Sequence, residues 1–171
     1  MTLTRFFVIT CLSLFLSGCK FANYSFSGTS IPIDVNTISI TTFPIQGQNA
    51  AIAPATLSQN FTEALRDIFI QQSRLELVRN NGDLIIEGEI IGYTVRNAAV
   101  SNNQAATENL IITVKVKYID NKHPENSYEQ KFSQMEPYSA GTNLSDVEPT
   151  IIPIITERIT QDIFNKSLGN W

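Results

Sequence analysis

The chain has 171 residues, with 16 acidic against 12 basic side chains and a formal charge of −4. An acidic chain with no run of Lys and Arg is not built to bind nucleic acid, nor to hold a membrane surface through a polybasic segment. Two cysteines, Cys11 and Cys19, are too few for a disulfide-stapled scaffold.

Arg5 precedes an apolar run, Phe6 to Leu16, and the small residues Ser17 and Gly18 stand directly before Cys19. A basic start, a short apolar run and small residues at a cut site are the layout of a secretory leader. The run is shorter than the roughly 20 residues that a spanning helix needs. Leu16-Ser17-Gly18-Cys19 resembles the lipobox of bacterial lipoproteins. That resemblance implies cleavage before Cys19, diacylglycerol on its sulfur and a further acyl chain on its new N-terminus. At about 0.8 kcal/mol per buried CH₂, three chains anchor almost permanently. The plainer alternative is an ordinary cleaved leader with a cysteine beside it. Residues 1–18 are thus expected to be removed as a signal peptide, taking Arg5 and Cys11 with them. The mature chain then holds no free thiol, disulfide or Cys-based metal site, and its stability must come from packing. It is long enough for one domain that buries about 68–70% of its unfolded surface.

Residues 19–32 read as a lipidated tether and 33–171 as a single domain. In the tether, Tyr24 and Phe26 alternate, so they either dock as an edge strand or sit at the membrane interface. Val35 to Phe43 is the first expected strand, with Ile38 and Ile40 on one face and Val35, Thr37, Ser39 and Thr41 on the other. Pro44 ends it. A helix is expected from Thr56 to Ser73, with Thr56 and Gln59 at capping-box spacing. Leu57, Phe61, Ala64, Leu65, Ile68 and Phe69 form its apolar stripe. Leu75 to Val78 is a short strand, and Asn80-Asn81-Gly82-Asp83 is a turn whose residues tolerate positive φ. Leu84 to Arg96 is a long strand with Leu84, Ile86 and Ile90 on one face. Gly88 and Gly92 share that face, which predicts a helix pressed against it.

Asn97 to Asn109 is the longest irregular stretch, of a length used for binding or mobile loops. Leu110 to Ile119 then alternates cleanly. Leu110, Ile112, Val114, Val116 and Tyr118 are assigned to the core, and Ile111, Thr113, Lys115, Lys117 and Ile119 to the opposite face. A turn over 120–126 joins this strand to another, Ser127 to Met135, as a hairpin. Glu136 to Leu144 reads as a polar loop. Ser145-Asp146-Val147-Glu148 has capping-box spacing, and the last helix runs from there to about Leu168. Its stripe is Ile152, Ile155, Ile159 and Ile163, joined by Ile151 and Phe164. Pro149 suits a first turn, whereas Pro153 predicts a kink or restart. Gly169 is a natural stop. The expected fold is α+β: a mixed β-sheet with two helices packed on one face, in the order β-α-β-β-β-β-α.

Chemistry is sparse. Glu87 and Glu89 share a strand face at about 6.5–7 Å, a spacing that a carboxylate pair could use, but no second acidic cluster or aromatic platform accompanies them. They read as a solvated face. His123 sits in a polar turn with no second ligand pattern near it, so it is expected to be exposed and no metal site is assigned. No serine lies in a nucleophile elbow, and no glycine-rich phosphate loop occurs. Neither a catalytic residue nor a cofactor is assigned. Lys115 and Lys117, between Ile111, Thr113 and Ile119, offer two cations to phosphates of an anionic lipid. The alternative is edge protection or solubility.

Four segments carry a wider resemblance. They are Tyr24-Ser25-Phe26-Ser27-Gly28-Thr29-Ser30-Ile31-Pro32, Leu57-Ser58-Gln59-Asn60-Phe61-Thr62-Glu63-Ala64-Leu65, Gly82-Asp83-Leu84-Ile85-Ile86-Glu87-Gly88-Glu89-Ile90, and Asp162-Ile163-Phe164-Asn165. Together, close behind Cys19, they resemble the LPS-assembly lipoprotein family, LptE. The resemblance implies an outer-membrane lipoprotein, not an enzyme, with two helices packed on a mixed sheet. It also implies a plug inside the β-barrel LptD that assists the barrel's assembly and lipopolysaccharide delivery to the outer leaflet, with direct lipopolysaccharide binding in some members. Lys115 and Lys117 are the contact candidates from strand-face reasoning alone, and the net acidity runs against strong polyanion binding. Lys20, in place of the Asp that retains many lipoproteins in the inner membrane, favours outer-membrane sorting, facing the periplasm. The competing readings are an adaptor lipoprotein for another envelope machine, such as an ABC transporter or a secretin, and a lipid-anchored enzyme.

Overall fold

The computed structural model describes residues 31–98 and 106–169. Within them the chain runs β1 (Thr37–Ile40), α1 (Thr56–Gln72), β2 (Glu76–Leu77), β3 (Leu84–Asn97), β4 (Thr107–Asp120), β5 (Tyr128–Ser139) and α2 (Leu144–Leu168). The strands form one sheet in the order β2-β1-β3-β4-β5. β1 is parallel to both β2 and β3, while β3, β4 and β5 form an antiparallel meander. This is the expected α+β fold, a mixed sheet with both helices on one face.

The alternation in β4 decides which face that is. Leu110, Ile112, Val114, Val116 and Tyr118 are all buried, at 3% exposure or less. Leu57, Phe61, Leu65 and Phe69 of α1 and Ile152, Ile155, Ile159 and Ile163 of α2 are buried in the same core. The helices meet through Phe69 and Phe164, whose rings pack edge-on at 5.1 Å. On β1, Ile38 and Ile40 are buried, but so are Ser39 of the other parity and Val35, two residues ahead of the strand.

Several boundaries differ from the sequence reading. Neither capping box forms. Gln59 Nε2 donates to Glu63, and the Ser58 hydroxyl donates to the Phe43 carbonyl at 2.6 Å, tying the first turn of α1 to the loop after β1. α2 starts at Leu144, so Ser145 lies inside the helix, and Glu148 accepts a hydrogen bond from Tyr93 instead. Nor does α2 restart at Pro153. Pro149 and Pro153 lie one turn apart on its exposed side, where water can reach the carbonyls their missing N–H groups leave free. β3 and β4 reach Asn97 and Thr107, shortening the irregular stretch between them; residues 99–105 lie outside the described part. β5 continues through the expected polar loop to Ser139, because Tyr138 is buried and pairs in register with Glu108.

The two strand glycines part company. A bulge at Ile91 shifts the register, so Gly92 pairs with Thr113 on the outer face, away from the helices. Gly88 keeps the inner parity, but the element that crowds it is Phe43 from the loop after β1. A Cβ at Gly88 would lie 2.6 Å from the Phe43 ring and 2.2 Å from the Lys115 carbonyl.

Candidate functional site: the outer sheet face

β3, β4 and β5 turn their second set of side chains away from the helices, and the registers arrange them in rows. Glu87, Lys117 and Glu129 make one row, and Glu89, Lys115 and Lys131 the next. Lys115 and Lys131 directly oppose each other, an unfavourable like-charge pair. Lys115 relieves it by reaching diagonally to Glu129, with Nζ 2.6 Å from Oε1. Lys117 Nζ lies 3.4 Å from Glu87 Oε1. The hydrogen bond between Lys115 and Glu129 raises the lysine's pKa and lowers the glutamate's. These four side chains keep 40–53% of their surface exposed, so the ion pairs are open to water and add little to stability. Together with Thr41 and Pro44 they border a shallow cleft of 320 Å³.

Farther along, the face changes character. The Thr113 and Ser133 hydroxyls meet at 2.9 Å. Beyond them Thr94, Ile111 and Met135 share a row, with Met135 55% exposed. Lys115 and Lys117 are thus brought together on one face with Ile111, Thr113 and Ile119, as the strand parity requires. Each is already engaged by a carboxylate, so an incoming phosphate has to exchange with Glu129 or Glu87. Glu87 and Glu89 share this solvated face, and Glu87 is the partner of Lys117.

His123 is more constrained than its polar turn suggested. It is half-buried, and Nε2 lies 3.3 Å from the Asp34 carboxylate, whose hydrogen bond raises the imidazole's pKa. The pair clasps the β4–β5 turn to the start of the domain. The Asp83 carboxylate does similar work nearby, accepting from the backbone N–H groups of Asn36 and Thr37 and from the Thr37 hydroxyl at 3.0–3.1 Å. Those donors hold its pKa at about 2. Partners separated by 46–89 residues leave no local pattern from which either cluster could have been found.

The Arg74 guanidinium donates to the Pro32 carbonyl at 2.6 Å, pinning the end of the expected tether to the domain. Cys19, Tyr24 and Phe26 lie outside the described residues. Among the described residues no group of three or more His, Cys, Asp or Glu side chains is placed to hold a metal ion. No described helix is long and apolar enough to cross a membrane.

In fold the chain is similar to the hypothetical protein CT253 from Chlamydia trachomatis. That likeness has a TM-score of 0.57 at 12% identity and covers 77% of this chain and 95% of that one. It is also similar to a minor lipoprotein from Acinetobacter baumannii, with a TM-score of 0.49 at 14% identity, over 78% of this chain and 96% of that one. The rare lipoprotein B from Shewanella oneidensis aligns with a TM-score of 0.43 at 12% identity, over 77% and 90% of the two chains. No curated protein matches the chain in sequence. The profile described as LptE, lipopolysaccharide-assembly, matches residues 35–167, from the approach to β1 into the last turn of α2. On that match, the chain belongs to the LptE lipopolysaccharide-assembly family.

Proposed function

We propose that the protein is a non-catalytic outer-membrane lipoprotein, anchored through acylated Cys19 and facing the periplasm, that plugs an LptD-like β-barrel and assists its assembly for lipopolysaccharide transport. The observation that carries this reading is the family match over 35–167, which takes in every strand and all but the end of the last helix. The arrangement of the domain supports it. Its strands and helices share one core, and its polar clusters at Asp83 and His123 serve to fasten chain segments together. Removal of residues 1–18 and a tether over 19–32 place the domain 33–171 close to the membrane.

In the same reading, Lys115 and Lys117 are the cations that meet lipopolysaccharide phosphates, each exchanging its carboxylate partner for a phosphate oxygen. The apolar groups at Ile111 and Ile119 stand beside the acyl chains.

Crosslinking in intact membranes, followed by affinity capture of the lipoprotein, tests the proposal. The expected result is a very large outer-membrane β-barrel in the captured material, and loss of that barrel when the lipoprotein is depleted. Recovery of a secretin or an ABC transporter instead, with normal surface lipopolysaccharide on depletion, would establish the adaptor reading. Intact-mass analysis showing an unacylated N-terminus would remove the anchor.

A further inference from the structure

Past the lysine–glutamate rows, the outer face of the sheet carries a second groove, of 530 Å³. Register builds it. The bulge at Ile91 puts Gly92 in the outward row with Thr113 and Ser133, and that row is low where Gly92 has no side chain. Ile91, Ile111 and Met135 form the groove's apolar part. Ile91 and Ile111 are half-buried and Met135 is 55% exposed, so a partner can reach this surface. Met and Arg are both enriched at protein interfaces.

Charge sets the groove apart. The charged side chains in its lining are Arg96 and Lys131, both cations, on a chain whose formal charge is −4. The neighbouring cleft is neutralised from within, since Glu129 holds Lys115 and Glu87 holds Lys117. Arg96 and Lys131 are exposed, and their charged groups make no ion pair or hydrogen bond with any described residue.

Spacing says what fits them. Arg96 lies across from Asn109 and Lys131 across from Lys115, six positions apart on β4 (115 − 109), or about 20 Å along the strands. Two single cations that far apart do not converge on one phosphate. They match two carboxylates on one extended chain, where residues i and i+6 face the same side about 20 Å apart. On that side, i+2 meets Ile111 and Met135, and i+4 meets the space that Gly92 leaves.

We infer that this groove is a docking site for an extended acidic segment of a protein partner, with two carboxylates six residues apart on Arg96 and Lys131 and an apolar side chain between them on Ile111 and Met135. The inference goes beyond the proposed function and does not require the partner to be the barrel.

The test uses the full lipoprotein in membranes. A photo-crosslinking residue replaces Asn49 in the groove wall, and in a separate variant Gln71 on the exposed side of α1. Crosslinks from position 49 are expected to map to a partner peptide with two acidic residues six apart. Arg96→Glu with Lys131→Glu is expected to weaken capture of that partner at least about tenfold, and Arg96→Gln with Lys131→Gln to weaken it less. Neither pair should move the thermal midpoint, since neither cation has a partner within the fold. Reversing the two acids of the mapped segment to Lys is expected to restore capture by the Arg96→Glu, Lys131→Glu protein. Crosslinks from position 49 to lipid alone, or to no protein, would overturn the inference. So would capture unchanged by charge reversal, or reversal that weakens binding of purified lipopolysaccharide and leaves protein capture intact. A barrel recovered at parental levels with the reversed charges sinks the groove and leaves the proposed function standing. An acidic segment of some other protein at position 49, with its capture restored by the charge swap, upholds the groove and counts against the barrel.

Discussion

The hydroxyl of Tyr93, on β3, donates to the Glu148 carboxylate in the second turn of α2 at 2.5 Å. Tyr93 is 1% exposed, and its hydrogen bond joins the upper part of the sheet to the start of the last helix. Tyr93→Phe keeps the ring in the core and deletes only that bond. It is expected to cost about 1–2 kcal/mol, because the half-buried carboxylate regains some water. Urea unfolding of the two proteins, side by side, measures this directly. A change near zero would mean that α2 is held by its isoleucine stripe alone.

The tyrosines set an alkaline limit. Burial raises Tyr93, Tyr118, Tyr128 and Tyr138 above the ordinary value of 10.0, with Tyr128 and Tyr138 pushed up to about 12. A folded pKa above the unfolded one means that the unfolded chain releases its protons first. The stability these groups contribute is intact below pH 10 and falls as pH rises through 10 toward 12 and beyond. Thermal midpoints are expected to hold steady up to about pH 9 and then drop. Tyr128→Phe, which retains the stack on Tyr118, is expected to shallow the drop. An unchanged slope in that variant would show that Tyr128 titrates after unfolding.

How much of this was legible in the sequence depends on whether the partners are local. Residues 110–119 carried their own answer, since a period of two and a complete apolar set occur in one segment, and every inward residue is buried. The stripe of α2 was equally readable, and that of α1 nearly so: Leu57, Phe61, Leu65 and Phe69 are buried, while Ala64 and Ile68 stay partly exposed. Tertiary partners account for what was not. Thr56 and Ser145 stand at capping-box spacing, yet neither box forms: Gln59 donates within the helix to Glu63, while Glu148 accepts from Tyr93, 55 residues away. The bulge at Ile91 reverses the parity expected for Gly92, and one inserted residue leaves no mark in composition. On the outer face, Lys115 and Lys117 were visible as a pair, but their engagement by Glu129 and Glu87 depends on cross-strand register.

Asp83 sets an acid limit of the opposite sign. Its carboxylate gathers the Asn36 and Thr37 N–H groups and the Thr37 hydroxyl, and those bonds hold its pKa at about 2, below the ordinary 3.8. With the folded pKa depressed, its contribution is full above pH 4 and is lost as pH falls from 4 toward 2. Asp83→Asn retains the size and much of the acceptor capacity but cannot titrate. The variant is expected to start less stable at pH 7 and to lose less on acidification, so the two midpoint curves converge near pH 2. Parallel curves would place the acid sensitivity elsewhere, with Asp34 beside His123 the next group to test.

The outer-face lysines separate fold from function. Lys115 and Lys117 are about half exposed, so Lys115→Gln and Lys117→Gln together are expected to leave the thermal midpoint almost unchanged. If the lysines meet phosphate, the same pair of changes weakens binding of purified lipopolysaccharide and flattens its dependence on salt, since each lost cation is one phosphate contact fewer. Glu129→Gln is the informative companion. It frees Lys115 from the partner that holds it at 2.6 Å, so a phosphate no longer has to displace a carboxylate. Binding should therefore tighten in Glu129→Gln and weaken in the lysine variants. A Glu129→Gln protein that binds no better, alongside lysine variants that bind as well as the parent, would assign the ladder to keeping the sheet face soluble. Lipopolysaccharide contact would then have to be sought elsewhere.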